Sequence, residues 1–212
     1  MKTFLIFGDS LVFGKGDEKY LGGWVGRIKQ VIEKENKYWC VYNLGIPFGE
    51  KVKDVIKRFN IETESRNKLS TQGGKLFIIL AIGINDTRLK NGIPVTRKVS
   101  FIKNINSLIR LAKNYTDSDK IIFIGLTPVD ENKVEKNFQG RCFSNQVINE
   151  YNKLLLKLCK KNNVFFFPPI TLKKEVSLYK KTLTEDGIHP NSQGYELIAK
   201  KIACFLKKII YA

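Results

Sequence analysis

The feature of this sequence that most limits its fold is a regular alternation of short apolar runs with longer amphipathic stretches. Five runs rich in β-branched and aromatic residues predict strands buried on both faces, at residues 3–7, 38–42, 75–81, 120–125 and 164–167. Helical periodicity follows each of them, at residues 24–35, 50–59, 100–115, 145–161 and 192–208. A strand followed by a helix, repeated five times, predicts an α/β fold with a five-stranded parallel sheet between two layers of helices.

The length and composition favour one compact domain over residues 1–212. At roughly 150 residues per domain, 212 residues are closest to one, and no linker rich in Pro, Gly or Ser divides the chain. Apolar residues make up 43% and charged residues 27%, which excludes collagen-like and disordered chains. No run of 18 apolar residues occurs, so no membrane span is expected.

The chain is strongly basic, with 37 Lys and Arg against 20 Asp and Glu and a net charge of +17. Such a charge raises nucleic acid or an anionic membrane as a partner. The cations, however, are mostly lysines scattered in ones and twos, whereas proteins that read nucleic acids cluster their cations and favour arginine. We therefore predict no specific nucleic-acid partner, and a non-catalytic anion-binding or nucleic-acid-binding module is kept as the weaker alternative.

The cysteines and the N-terminus bear on metal binding and location. Cys40, Cys142, Cys159 and Cys204 lack the close spacing of a zinc site or a redox dithiol. Their apolar neighbours predict buried side chains in a reducing compartment. The apolar stretch before Gly8 is too short for a signal peptide, which predicts a cytoplasmic protein.

Polar residues with catalytic uses follow the predicted strands. Ser10 comes after the first strand, Gly45 after the second and Asn85 after the third, while Asp186 and His189 come after the fifth. Open parallel sheets bind ligands at the carboxyl ends of their strands. We therefore expect these residues to meet at one edge of the sheet.

These residue types together suit acyl transfer. His189 is the only histidine, and Asp186 three residues earlier could orient its imidazole. Ser10 after a strand could expose a hydroxyl that this pair activates, although Asp9 and Ser10 could also cap a helix. The amide of Asn85 and the backbone N–H of Gly45 and Ser10 could donate to an oxyanion, although turn roles for Asn85 and Gly45 are the alternative.

In four ordered blocks the sequence resembles the GDSL, or SGNH, hydrolases, named for Ser, Gly, Asn and His. The blocks are Gly8-Asp9-Ser10-Leu11, Gly45, Gly83-Ile84-Asn85-Asp86 and Asp186-Gly187-Ile188-His189-Pro190. The resemblance implies a three-layer, flavodoxin-like α/β/α fold, with Ser10 as nucleophile, His189 as general base and Asp186 as its partner. It also implies an oxyanion hole of Ser10, Gly45 and Asn85, and no metal or organic cofactor.

One block departs from the family pattern. The second block usually reads Asn-x-Gly-x-x-Gly, whereas residues 43–49 here carry one extra residue and a proline. The extra residue and the proline affect the path of the backbone around Gly45, and therefore the direction of its N–H.

Further residues are expected at the same edge of the sheet. Asp9, Arg88 and Arg141 are the candidates for contact with the substrate, because the forked guanidinium of Arg88 could meet a carboxylate or phosphate. The loops that carry Lys15, Tyr20 and Trp24 are expected there too, although each of these residues could instead be surface or packing.

The function predicted from these observations is a serine esterase acting on a small-molecule carboxylic ester through an acyl-enzyme on Ser10. Small or polar acyl groups are expected to be favoured, because the loops at 86–91 and 130–141 are charged. A thioesterase, a lysophospholipase and a sugar O-deacetylase of the same family remain alternatives. The oligomeric state is left open.

Overall fold

The computed structural model describes residues 1–67, 74–137 and 142–211. Its strands are β1 (Lys2–Gly8), β2 (Cys40–Gly45), β3 (Lys75–Ala81), β4 (Leu89–Lys90), β5 (Ile93–Pro94), β6 (Ile121–Ile124) and β7 (Phe165–Phe167). Five of them form a parallel sheet in the order β2-β1-β3-β6-β7, and β4 and β5 form a separate antiparallel pair. This is the strand order of flavodoxin-like folds, so the predicted fold class is confirmed.

The helices pack in two layers on this sheet. They are α1 (Ser10–Phe13), α2 (Gly23–Glu35), α3 (Val52–Asn67), α4 (Lys98–Lys113), α5 (Glu131–Asn137), α6 (Asn145–Asn162), α7 (Lys173–Lys181) and α8 (Ser192–Ile210). One core contains side chains of α3, α4 and α6, and the other contains side chains of α2, α7 and α8. The sheet between them gives the three layers that the sequence predicted.

Successive residues of a central strand serve the two cores in turn. In β1, Leu5 and Phe7 belong to the core with α3, whereas Phe4 and Ile6 belong to the core with α2. All four side chains are fully buried, and each stabilises the fold by about 1.5–3 kcal/mol relative to exposure. This explains why β1 reads as a continuous apolar run.

The expectation that all five strands are buried on both faces is wrong for the two edge strands. In β2 only Val41 and Leu44 are buried, and Phe165 in β7 is 39% exposed. An edge strand has one neighbour instead of two, so fewer side chains cover it.

Two predicted boundaries differ from the structure. The second strand begins at Cys40 rather than at residue 38, because Trp39 N–H donates to the carbonyl of Asn36 and closes a turn there. Helix α3 continues eight residues past Phe59 although this last part is mostly polar. The ion pair between Arg66 and Glu62, four residues apart, supports that extension.

Several short elements were not predicted: α1, α5, α7 and the pair β4 and β5. For α7 a signal was present in the sequence. Glu175 accepts hydrogen bonds from the N–H groups of Thr171 and Leu172, and Val176 and Tyr179 turn inward three residues apart. An acidic residue in the first turn before such a pair is typical of a helix start.

The cysteines only partly follow the expectation of burial. Cys159 is buried, Cys40 is half-buried, and Cys142 and Cys204 are exposed, so the expectation is wrong for the last two. All four are free thiols. Among the helices of the described ranges, none has the length and apolarity needed to cross a membrane.

Candidate active site

Ser10 stands at the turn from the central strand β1 into the short helix α1. The preceding Asp9 is the N-cap of that helix, and its carboxylate accepts a hydrogen bond from Leu11 N–H at 3.0 Å. Ser10 is 6% exposed. The capped turn fixes the backbone that carries the Ser10 hydroxyl at the carboxyl edge of the sheet.

The structure brings Ser10, His189 and Asp186 into one hydrogen-bonded chain. His189 Nε2 lies 2.8 Å from Ser10 Oγ, and His189 Nδ1 lies 2.5 Å from Asp186 Oδ2. The other carboxylate oxygen of Asp186 accepts from the N–H groups of Ile188 and His189 and from the hydroxyl of Thr184, each at 2.9 Å. The imidazole is therefore held on one side by a carboxylate and faces a hydroxyl on the other.

The charge of Asp186 is stabilised by these contacts. Burial by itself would raise the pKa of this carboxyl, but the hydrogen bonds and charge of His189 and the two backbone N–H groups outweigh burial. The result is a pKa well below the ordinary value for aspartate. Asp186 is an anion over the whole neutral range and favours a proton on Nδ1 of the imidazole.

The loop around His189 is held by backbone contacts. Thr184 N–H donates to the carbonyl of His189 at 2.8 Å, and Asp130 N–H donates to the carbonyl of Gly187 at 2.8 Å. Gly187 has a φ of +73°, and a Cβ there would lie 2.6 Å from the carbonyl oxygen of Asp130. Glycine is therefore required for the loop to pack against the start of α5.

A buried ion pair connects the loop after Ser10 with the start of α8. Arg27 binds both carboxylate oxygens of Asp17, at 2.5 and 3.1 Å, and Ser192 Oγ donates to the same carboxylate at 2.5 Å. Burial would raise the pKa of Asp17, but these partners lower it to about 2. Tyr195 Oη adds a hydrogen bond to the carbonyl of Lys15. The network joins the chain segments on either side of the Ser10–His189 contact.

Asn85 is held beside Ser10 by the loop that follows β2. Its Nδ2 donates to the backbone carbonyl of Glu50 at 3.0 Å and lies 3.4 Å from Asp9 Oδ2. Glu50 in turn binds Arg58 through both carboxylate oxygens, at 2.7 and 2.6 Å. The guanidinium of Arg58 also donates to the carbonyl of Leu44 at 2.8 Å, so the end of β2 and the loop are tied together.

Two buried carboxyls lie behind this edge of the sheet. Burial raises the pKa of Asp9 to about 7 despite the hydrogen bond from Leu11, and the charges of Glu50 and Asp86 act in the same direction as burial. Burial also raises the pKa of Asp86 to about 6, although Val52 N–H donates to it at 3.0 Å. Asp9 is 1% exposed and is not one of the residues that line the cleft over Ser10, so its contact with the substrate stays a prediction.

The structure does not bring Gly45 to the predicted position. Its N–H donates to Asn43 Oδ1 at 3.0 Å, and a Cβ on Gly45 would lie 2.3 Å from the backbone nitrogen of Phe13. Glycine at this position allows β2 to pack closely on α1. Gly49, with a φ of +72°, lines the cleft instead.

A cleft of about 470 Å³ opens over Ser10. Besides Ser10, Asn85 and His189, its walls are formed by Lys15, Pro47, Phe48, Gly49, Ile84, Arg88, Phe143 and Ile188. The predicted candidate Arg88 is thus at the cleft, and Arg141 lies outside the described residues. Tyr20 is 93% exposed, and Trp24 is buried next to Asp9 in a separate small cavity.

Comparison with models of protein families shows which family this chain belongs to. Residues 6–197 match the model of the GDSL-like lipase/acylhydrolase family, which is nearly the whole chain. The chain belongs to this family.

Known members and neighbours of the GDSL-like family agree with this assignment. The GDSL esterase/lipase CPRD49 of Arabidopsis thaliana is 24% identical over 142 residues, which cover 62% of this chain and 54% of the plant protein. The lipase/acylhydrolase from Enterococcus faecalis is 25% identical, with a TM-score of 0.71 over 98% of this chain and 96% of its own. The esterase EstA from Pseudoalteromonas sp. covers 100% of both chains at 16% identity, with a TM-score of 0.73, and shows the same fold.

Several residues that shape the site of this GDSL-like hydrolase were not predicted. Arg58 and Glu50 carry no motif, and their ion pair joins the loop before α3 to the second turn of that helix. Thr184, two residues before Asp186, was also missed. The sequence did contain a signal for Gly49. With the extra residue in the second block, the last glycine of the family pattern falls at position 49.

Proposed function

We propose that this chain is a serine esterase that hydrolyses carboxylic esters through an acyl-enzyme on Ser10. The observation that carries the proposal is the distance of 2.8 Å between Ser10 Oγ and His189 Nε2, with Asp186 on the opposite ring nitrogen. Nucleophile, base and orienting carboxylate in this order are the arrangement that activates a serine hydroxyl.

The proposed reaction has two steps. In the first, Ser10 Oγ attacks the ester carbonyl carbon, and its proton passes to His189 Nε2. The C–O bond to the leaving group then breaks, and His189 returns the proton to the departing alcohol oxygen. In the second step water attacks the acyl-enzyme, gives one proton to His189 and releases the acid, while Ser10 recovers its proton. Asp186 stays ionised and stabilises the imidazolium in both steps.

The negative charge that develops on the carbonyl oxygen needs hydrogen-bond donors. We assign this role to the N–H of Ser10, to Asn85 Nδ2 and to the N–H of Gly49, which takes the place of Gly45. The N–H of Gly49 makes no hydrogen bond with any other described residue, whereas that of Gly45 is bound to Asn43.

The cleft supports small or polar acyl groups as the favoured substrates. Phe143, Ile84 and Ile188 supply apolar contact, but Lys15, Asn85 and Arg88 make a large part of the wall polar. An enzyme that takes long acyl chains from lipid aggregates needs a broad apolar surface. Thioesters, lysophospholipids and sugar acetates are the alternative substrates within the same chemistry, and we propose no nucleic-acid partner.

The decisive experiment combines one variant with covalent labelling. Ser10→Ala should abolish hydrolysis of p-nitrophenyl acetate while leaving the melting temperature close to that of the wild type, because a small side chain at a turn is lost. A p-nitrophenyl phosphonate should add one adduct to the wild type and none to the variant. Full turnover by Ser10→Ala would contradict the mechanism.

The structure of the phosphonate adduct would test the donors separately. The phosphoryl oxygen should lie about 2.7–3.1 Å from the nitrogens of Ser10, Asn85 and Gly49. An adduct oxygen bound to Gly45 N–H instead would contradict the assignment of Gly49 and support Gly45 as the donor.

We further propose a cytoplasmic location for the enzyme. Its four cysteines are free thiols, two of them exposed, and exposed thiols persist best in a reducing compartment. Fractionation of cells of the native source would test this, and recovery from the secreted fraction would contradict it.

A further inference from the structure

The cleft over Ser10 carries two cations and no carboxylate among the described residues that line it. Arg88 and Lys15 are the charged groups of its wall. The ionised carboxylate of Asp186 lies behind His189 and is occupied by hydrogen bonds from three neighbouring residues. The carboxyl of Asp9 is buried behind Asn85, with 3.4 Å between Asn85 Nδ2 and Asp9 Oδ2. The substrate would therefore meet an excess of positive charge beside Ser10.

Neither cation has a partner in the described part of the chain. The half-buried or buried arginines elsewhere are paired: Arg27 with Asp17, Arg58 with Glu50 and Arg66 with Glu62. Arg97 and Arg110 form no ion pair with a described residue. Both are exposed, so solvent can hydrate their guanidinium groups. Arg88 differs from both groups because it is half-buried and its guanidinium makes no hydrogen bond or ion pair with a described side chain.

The backbone under each cation is fixed. Val95 N–H donates to the carbonyl of Arg88 at 2.9 Å, and the next residue, Leu89, donates to the carbonyl of Cys142 at 2.8 Å. Lys15 N–H donates to the carbonyl of Ser10 at 3.0 Å, and the Lys15 carbonyl accepts from Tyr195. Both side chains thus extend from anchored positions, which reduces the entropy lost when they bind an anion.

The two cations flank the reaction centre from different sides. Arg88 follows Asn85 by three residues and lies on the side of the proposed oxyanion donors. Lys15 lies on the side of the histidine, because the adjacent Gly16 packs against the carbonyl of Pro190 and against His189 Cβ. An anionic group attached near the scissile ester could reach one or both of them.

From these contacts we infer that the natural substrate is an ester that carries a carboxylate or a phosphate, and that Arg88 and Lys15 determine this specificity. The inference rests on the proposed esterase function and adds the chemical class of its substrate. A guanidinium binds carboxylate or phosphate through two parallel hydrogen bonds, and a lysine adds a point charge.

The test compares two acetate esters that differ only in charge. 4-Acetoxybenzoate carries a carboxylate where 4-acetoxybenzamide carries a neutral amide, and each rate is normalised to hydroxide-catalysed hydrolysis of the same ester. The wild type should prefer the benzoate by about tenfold or more in kcat/KM, mainly through KM. The preference should weaken in 0.5 M salt, because both cations are in contact with solvent.

Variants of the two cations, with matched controls, test whether Arg88 and Lys15 cause the preference for the anionic ester. Arg88→Gln and Lys15→Gln should each lower the ratio of the two rates several-fold, and the double variant should bring it close to one. Lys90→Gln and Lys19→Gln remove exposed cations from the same two segments and should keep the wild-type ratio. The pair 4-nitrophenyl hydrogen adipate and 4-nitrophenyl hexanoate repeats the test with the charge on the acyl side, and 4-acetoxyphenyl phosphate distinguishes phosphate from carboxylate.

The outcomes separate the two proposals. Equal normalised rates for charged and neutral esters in all series, or a preference that survives in the double variant, would overturn the inference while leaving the esterase intact. Failure of the wild type to hydrolyse any of these esters, together with failure to react with the phosphonate, would instead reject the esterase and this inference with it.

Discussion

Asn85 donates a hydrogen bond from Nδ2 to the backbone carbonyl of Glu50, with 3.0 Å between the two atoms. The side chain of Glu50 is in turn fixed by the guanidinium of Arg58. The amide that we assign to the oxyanion is thus oriented by a loop whose own position depends on a partly buried ion pair. Two predictions test this relationship from its two ends.

Replacing Asn85 by alanine should lower kcat by roughly a hundred- to a thousandfold with little change in KM. The amide serves the oxyanion of the transition state more than the ester in the ground state. Steady-state kinetics with p-nitrophenyl acetate would measure both constants. A change confined to KM would identify Asn85 as a binding residue.

Replacing Glu50 by glutamine should lower kcat by about three- to tenfold and leave KM nearly unchanged, because the variant weakens the hold of Arg58 on the loop that orients Asn85. Glu62→Gln is the matched control, since Glu62 also approaches Arg58, at 3.9 Å, but lies on α3 away from the cleft. Its kcat should stay at the wild-type value. Equal losses in the two variants would indicate a general effect on stability rather than on positioning.

Asp9→Asn should change the pH dependence of stability. The pKa of Asp9 is raised by burial from its ordinary value of 3.8 to about 7, so the folded state holds a proton that the unfolded chain releases between these values. Stability of the wild type therefore falls as the pH rises through this window and levels off above it. Asparagine can still cap α1 but carries no charge to bury.

Thermal unfolding at pH 5, 6, 7 and 8 would show this effect. The melting temperature of Asp9→Asn minus that of the wild type should increase with each step in pH up to about pH 7. Asp119→Asn, at an exposed position, serves as the control and should give a constant offset. A constant offset for Asp9→Asn as well would show that its carboxyl does not titrate in this range.

The acyl-chain preference follows from the polar walls of the cleft. Each methylene buried in an apolar groove contributes about 0.8 kcal/mol, which is about fourfold in kcat/KM. That gain should end at short chains here, because Lys15, Asn85 and Arg88 interrupt the apolar wall. A p-nitrophenyl ester series from acetate to palmitate measures it, and a steady rise towards palmitate or activation by micelles would contradict the prediction.

The sequence by itself determined the elements whose signals are local. The apolar runs specified the central strands β1 and β3 almost to the residue, because a strand covered on both faces must be apolar throughout. The contact of Asp186 with His189 spans three residues and needs only one turn, so the local spacing indicated that the two side chains could meet. The edge strand β2 and the polar end of α3 were predicted less well, since burial there depends on neighbours that are distant in sequence.

The tertiary structure decided the contacts that depend on the course of the backbone. Ser10 meets His189 across 179 positions only because the loops after β1 and β7 end at the same edge of the sheet. Whether Gly45 or Gly49 faces the cleft is a matter of N–H direction, which Asn43 and the close approach of α1 fix. The same holds for Arg58 and Arg88: a sequence lists both as cations, and only the packing around them determines which one finds a carboxylate among the described residues.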